Sequence, residues 1–330
     1  MLTIIMYHYV RDLARSRYPA IKGLSTERFE GQLDYIARHY QVVSLSQVQS
    51  AAQTEAPTGQ KGGSLPANAC LLSFDDGFSD HYLTVYPRLA ARGWSGCFFP
   101  PAEAILEHKV LDVHKIHFVL AASSDPTVLT RRILDLIAPA RSTFPLPPDS
   151  TLQENWAKPG RYDGPEVMFI KNALQQGLPL PLRGQIIDQL FAELVTPNEN
   201  TFARDLYMSL TQMQEMAGSH PEMAFGGHGS KHVWMGKSTP AQQAAEITEC
   251  RSLLENIYQH PVGGWTMCYP YGNYNEETLG LLRARNCVLG LTTRVDVVPD
   301  LAHPLELPRL DTNDIPCTRD AAVSRWTQTP

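Results

Sequence analysis

The chain has 330 residues, 43% of them hydrophobic and 19% charged, with 28 basic against 34 acidic side chains and a net charge of −6. An acidic balance without any Lys/Arg-rich run excludes the electrostatic footprint that binds nucleic-acid phosphate. No stretch reaches the roughly 18–20 apolar residues that span a bilayer.

The opening MLTIIMYHYV has one short apolar run, with neither a basic leader nor a small-residue cleavage site, so the expected location is the cytoplasm. Leu2–Met6 reads as a first strand, and Thr26–His39 as a helix with Phe29, Leu33 and Ile36 at helical spacing. Gln41–Leu45 reads as a strand, and Ala51–Ala67, rich in Gly, Ser, Gln and Pro, as a flexible loop. Cys70–Phe74 is the next strand, followed by a helix over Tyr82–Arg92 and a strand over Gly96–Phe99. The alternation resumes with strands at Ala224–Phe225, Gly264–Tyr269, Val288–Thr292 and Leu305–Leu310 and helices at Pro240–Gln259 and Glu276–Arg285. Such alternation predicts a mainly parallel sheet, open or closed into a barrel.

Residues 103–216 break this pattern. Val128–Ile137 and Leu182–Val195 read as amphipathic helices, and the Pro-rich stretch from Pro139 to Pro165 has almost no periodicity. The expected organisation is an α/β unit built from 1–102 and 217–330, with a mostly helical insertion at 103–216. Six scattered cysteines, none in a CxxC pair, read as buried free thiols.

Three segments carry chemistry. In Cys70-Leu-Leu-Ser-Phe-Asp75-Asp76-Gly77 two adjacent carboxylates end a strand, which is costly unless a cation or proton relieves them. Asp-Gly is also a common turn pair. In Phe225-Gly-Gly-His228-Gly-Ser-Lys-His232 the i, i+4 spacing puts both imidazoles on one face if the segment enters a helix, as two ligands to one metal require. Cys268-Tyr269-Pro270-Tyr271-Gly272 reads either as a strand-ending turn or as a rigid aromatic wall with a backbone N–H aimed into a pocket. In a parallel β/α architecture these strand ends share one rim, where ligands bind. An Asp/His/His set with an open position makes a hydrolytic metal site, leaving the second aspartate as general base.

The segments SFDDG (Ser73–Gly77), HGSKH (His228–His232) and YPYG (Tyr269–Gly272), with MYHYV (Met6–Val10) and LPRL (Leu307–Leu310), resemble the polysaccharide deacetylases of the NodB-homology group, carbohydrate esterase family 4. The resemblance covers roughly residues 1–102 and 217–315. It implies a distorted (β/α) barrel and metal-dependent removal of an acetyl group from an N-acetylated sugar. By the same resemblance Asp76, His228 and His232 would bind Zn2+ or another divalent transition metal, and Asp75 would take a proton from the metal-bound water. The Tyr271 backbone N–H would steady the oxyanion. The arginine that many members carry before the third motif is Cys268 here, and Arg309 is the candidate to supply its charge. His303, in Leu301-Ala302-His303, and His8 are rival acids for the leaving amine. Tyr269, Pro270, Trp234 and Arg11 are candidate substrate contacts.

Absence of a signal segment points to an intracellular glycan intermediate as substrate, with the insertion as its lid. His114 and His117, at i, i+3, read as packing or as a second metal site. Three other functions compete: an allantoinase-like hydrolase of cyclic amides or ureides on the same barrel, a glycosidase, and a non-catalytic carbohydrate-binding barrel. Glycosidase carboxyls stand about 5–9.5 Å apart, a geometry that adjacent Asp75 and Asp76 do not supply by themselves.

Overall fold

The computed structural model describes residues 1–54, 64–220 and 222–327. Two compact units carry them: Met1–Asp12 with Gly23–Lys109 and Ala203–Pro330, and Leu13–Lys22 with Val110–Phe202.

The first unit holds a ring of parallel strands: β1 (Leu2–Tyr7), β2 (Ala69–Asp75), β3 (Gly96–Phe99), β4 (Met223–Phe225), β5 (Trp265–Cys268), β6 (Cys287–Leu291) and β7 (Leu310–Asp311). Strands β7, β1, β2, β3 and β4 pair in that order, β5 pairs with β6, and a two-residue strand at Gln41–Val42 adds to β2. Single bridges join the two sheets. Gly227 pairs with Met267 beyond the end of β4, and Leu291 of β6 pairs with Leu307 just before β7. The result is a distorted (β/α) barrel, and all its strand C-termini share one rim.

Local chemistry explains the elements. All seven residues of β2 are buried, as expected for a parallel strand covered on both faces, so it reads as a continuous apolar run. Alternation sets Leu71, Ser73 and Asp75 on one face and Phe74 on the other. Phe74 stacks on Tyr7 at 5.0 Å and on Phe98 at 5.1 Å, and Phe29 of helix α1 (Thr26–His39) meets Tyr7 edge-on at 5.3 Å. On the opposite face Ile4, Leu71, Cys97, Phe99, Cys268, Leu289, Leu291 and Leu307 form one buried cluster drawn from most strands of the ring.

Helix α1 starts at Ser25, whose hydroxyl accepts the Arg28 N–H, and covers its predicted span. The expected strand Gln41–Leu45 stops at Val42, because Leu45 opens helix α2 (Leu45–Thr54) and buries Val48, Ala51 and Ala52 against the cluster. Ala51–Thr54 is therefore helical rather than loop, and 55–63 lie outside the described residues. The final strand is shorter than Leu305–Leu310 predicts. Only the Leu307 bridge and Leu310–Asp311 pair, which turns Arg309 inward.

The second unit spans Val110–Phe202 with Leu13–Lys22, whereas the sequence reading bounded an insertion at 103–216. Helix α3 (Ala102–Leu106) and the helix Leu210–Ser219 lie in the first unit and bury Ile105, Met213 and Met216 there. The second unit packs helices over Asp112–Ala122, Pro126–Ala140, Asp149–Trp156, Pro165–Asn172 and Leu180–Leu194. Tyr18 meets Phe118 edge-on and donates to the Val195 carbonyl, and Lys115 is held between Asp188 and Glu199. The helix at Asp149–Trp156 was illegible in the Pro-rich stretch because Leu152 is its one buried residue, too few to make a period.

All six cysteines are free and five of them are buried. Among the described residues no helix is long and apolar enough to cross a membrane.

Candidate active site

The rim where β2, β4, β5 and β7 end gathers the motif residues. Asp75 is the last residue of β2, and Asp76 turns out of it with φ of 75°, a left-handed conformation that Asp tolerates better than most residues. Its N–H is held by the Phe99 carbonyl at 3.0 Å. Gly77 follows with φ of 66°, and a Cβ there would stand 2.8 Å from Pro100. The two carboxylates therefore leave the strand in different directions.

Asp76 turns to the histidines. Its Oδ1 lies 3.4 Å from Nε2 of His228 and 3.7 Å from Nε2 of His232. The His228 Nδ1–H donates to the Cys268 carbonyl at 2.8 Å, so in the neutral imidazole Nε2 is the nitrogen that carries the lone pair, and it faces Asp76. One carboxylate and two imidazole nitrogens, with donor atoms mutually within 4.8 Å, fit a tetrahedral divalent transition metal with a position left for another ligand.

The HxxxH segment is not helical. His232 has φ of 54° and Gly229 φ of 68°, so a loop brings the two rings together at 4.9 Å between centroids. Gly226 and Gly227 precede it where space is short. A Cβ on Gly226 would sit 2.7 Å from the Thr266 carbonyl, and one on Gly227 2.8 Å from Cys250 Sγ.

Asp75 turns to Arg309. The guanidinium meets both carboxylate oxygens at 2.8 Å, with further bonds from Nη1 to Ser73 Oγ at 3.2 Å and from Nε to the Thr292 carbonyl at 2.8 Å. Burial raises a carboxyl's pKa, but the charge and hydrogen bonds of Arg309 outweigh it and hold Asp75 at about 2. Arg309 thus stands where the resemblance asked for a cation, and the Cys268 thiol donates to Asp75 at 3.4 Å.

The rival acids separate. His8, just past β1, has Nε2 3.9 Å from Asp75 Oδ2 with its side chain 41% exposed. His303 is exposed and its carbonyl accepts the Glu306 N–H at 3.0 Å; among the described residues no hydrogen bond or ion pair joins it to the cluster. The His8 loop is fastened from the segment after the Asp pair. His81 Nε2 bonds the His8 carbonyl at 2.9 Å, and Asp80 accepts from the Val10 N–H at 3.1 Å and from Arg11 Nε at 2.8 Å. Arg11 is therefore held by Asp80 rather than turned toward the histidines.

Three other expectations are corrected. Tyr269 is wholly buried, donates to the Leu305 carbonyl and stacks on Tyr274, so it packs the barrel rather than touching substrate. Pro270 is buried as well. The Trp234 ring is stacked on Tyr271 at 4.4 Å and carries the Lys237 ammonium 4.6 Å from its centroid, so its π surface is already engaged. Tyr271, with φ of 57°, meets His232 edge-on at 4.5 Å and buttresses that ring. In the second unit His114 is buried and lies 5.9 Å from His117, and neither belongs to a metal-holding group among the described residues.

Sequence reasoning missed Asp80, His81 and Glu246. Glu246 lies on α4 (Pro240–Tyr258), and its carboxylate receives the N–H groups of Ser230 at 2.7 Å and Lys231 at 3.0 Å. A signal existed, since Glu246 is a charged residue on the face that buries Ile247, Cys250, Leu253, Leu254 and Ile257. Nothing in the sequence marked Asp80 or His81 apart from their position after Asp-Asp-Gly.

The rim of this parallel barrel thus carries an Asp/His/His group that could hold a metal ion and, beside it, a second aspartate clamped by an arginine. The polysaccharide deacetylase family model matches residues 198–288. YxkH of Bacillus subtilis (strain 168), which is named after the same family, is 30% identical over 87 residues, 26% of this chain and 30% of its own length. The chain thus aligns with under a third of that curated relative. The Streptococcus pyogenes deacetylase PplD, solved in complex with acetate, superposes with a TM-score of 0.56 at 16% identity, covering 96% of this chain and 94% of that one. IcaB from Ammonifex degensii gives 0.53 at 18% identity over 94% and 91%. At those identities the structures speak for the fold, which is the deacetylase barrel. In sequence over residues 198–288, and in fold over most of its length, the chain is similar to the polysaccharide deacetylases.

Proposed function

We propose that this protein is a metal-dependent hydrolase that removes the N-acetyl group from an amino sugar in a glycan or glycan precursor. The observation that carries the reading is Asp76 Oδ1 facing two imidazole Nε2 atoms, beside an Asp75 carboxylate paired with the Arg309 guanidinium through both oxygens.

Asp76, His228 and His232 would hold the ion, with zinc the first candidate. When bound, it would supply Lewis acidity to the acetyl carbonyl and lower the pKa of water. Asp75 is ionised and oriented, so it accepts the proton of the attacking water. Arg309 keeps that carboxylate in one place, and the Tyr271 backbone N–H offers a fixed donor to the developing oxyanion. His8, half-open to solvent next to Asp75, delivers a proton to the departing sugar amine. Acetate and the free amine are the products.

The test is acetate release from N-acetylglucosamine oligomers. A chelator abolishes it and Zn2+ restores it, whereas Asp75→Asn still binds the ion but loses turnover. Activity that survives exhaustive chelation overturns the reading. Turnover of allantoin without acetate release from the oligomers assigns the site to cyclic amides instead.

A further inference from the structure

The two histidines sit in a loop that no regular element shapes. Gly229 and His232 both adopt left-handed φ, so Ser230 and Lys231 between them make no intraloop ladder. Left-handed backbone at a residue with a Cβ persists only where its surroundings over-determine it. Here two helices do so. The carbonyls of Gly229 and Ser230 accept the N–H groups of Ala102 and Glu103 at the start of α3, at 3.1 and 3.2 Å. On the other side the Glu246 carboxylate takes the N–H groups of Ser230 and Lys231, and Oε2 approaches both. Glu246 is 5% exposed and Ser230 2%, so water cannot replace these bonds without opening the loop. The fit is close: a Cβ on Gly229 would stand 2.8 Å from Glu246 Oε2.

We infer that Glu246 is a positioning residue for the ion site, setting the separation of His228 and His232 through the backbone between them. Its hydrogen bonds go to the backbone between the two rings. This rests on the proposed metal-dependent reading. Removing a partner that orients metal ligands typically costs about 10–100-fold in metal affinity.

The experiment compares wild type, Glu246→Ala, Glu246→Gln and, as control, Glu249→Ala, an exposed glutamate on the same helix. Each metal-free protein is titrated with Co2+ followed by its visible d–d band and, separately, with Zn2+ by calorimetry. Amide hydrogen exchange of Ser230 and Lys231 is measured on the same metal-free proteins, with circular dichroism reporting the fold. The expected result is a Kd roughly 10–100-fold weaker in Glu246→Ala, a smaller loss in Glu246→Gln, a changed cobalt band, and faster exchange at those two amides. Glu249→Ala should match wild type. If wild type binds and the folded Glu246 variants bind equally well, the positioning role is overturned. If wild type itself binds no ion, the metal reading falls, and the role assigned to Glu246 falls with it.

Discussion

Arg309 shows how much one side chain decides. It is 1% exposed, hydrogen-bonds one oxygen of Asp75, pairs in charge with the other, and ties Ser73 and Thr292 into the same knot. Removing it leaves a buried carboxylate uncompensated. Arg309→Ala should therefore cost about 3–5 kcal/mol of stability and roughly 100-fold or more in turnover, since a base displaced by about 1 Å loses that much. Arg309→Lys should rescue little, because one ammonium cannot serve two carboxylate oxygens in a planar fork. Urea unfolding with steady-state acetate release checks both, and full turnover in Arg309→Ala would remove the residue from the mechanism. The sequence pointed to Arg309 through LPRL, while its partners Ser73 and Thr292 lie 236 and 17 positions away and had no local signature.

At the scale of elements, Asp75–His81 is a continuous device. It ends a buried strand, turns one carboxylate to Arg309 and the other to the histidines, then re-enters a helical turn where Asp80 and His81 fasten the His8–Arg11 loop. His81 is wholly buried, and burial pulls its pKa from 6.5 down to about 4, against smaller opposing contributions from the His8 carbonyl and nearby aspartates. A histidine whose pKa is depressed by folding stabilises the protein fully above 6.5. That contribution is lost progressively as the pH falls from 6.5 to about 4, by at most about 3 kcal/mol. Urea midpoints should fall across that window, and His81→Gln should flatten the slope there. An identical slope in the variant would show that His81 does not titrate with unfolding.

The helices tell the same story of partial legibility. Amphipathic α1 was readable to the residue because Phe29, Leu33 and Ile36 recur at helical period, and the structure adds the Ser25 cap. The HxxxH spacing would align both rings if the segment were helical, and it is not. Two left-handed positions and clamps from α3 and α4, contacts invisible in a local window, impose a loop that still brings both rings to Asp76.

For the molecule as a whole, closure of the sheet is the organising fact. Two single bridges, Gly227 to Met267 and Leu291 to Leu307, complete the ring, and the glycines at 226 and 227 leave the room one of those seams requires. The candidate ion ligands come from the turn after β2 and from the loop after β4, so an ion bound between them ties distant parts of the chain together. An ion that binds only the folded state stabilises it by about 2.7 kcal/mol at a hundredfold excess over Kd. Thermal scans should show wild type shifted upward by Zn2+ and downward by chelator, and Asp76→Asn indifferent to both. A shift that persists in Asp76→Asn would place the ion elsewhere.

The sequence by itself determined the parallel β/α pattern and the bounds of helices α1 and α4 to within a residue, and it singled out Asp75, Asp76, His228 and His232 as candidates, because strand burial, helical period and motif letters are local properties. Only the tertiary structure decided that Arg309 clamps Asp75, that His8 rather than His303 stands beside it, that Tyr269 is core, and that Glu246 braces the histidine loop. Those pairings join residues far apart in the chain. They exist because the barrel brings its strand ends to one rim, where buried polar groups must find partners or the fold bears their desolvation.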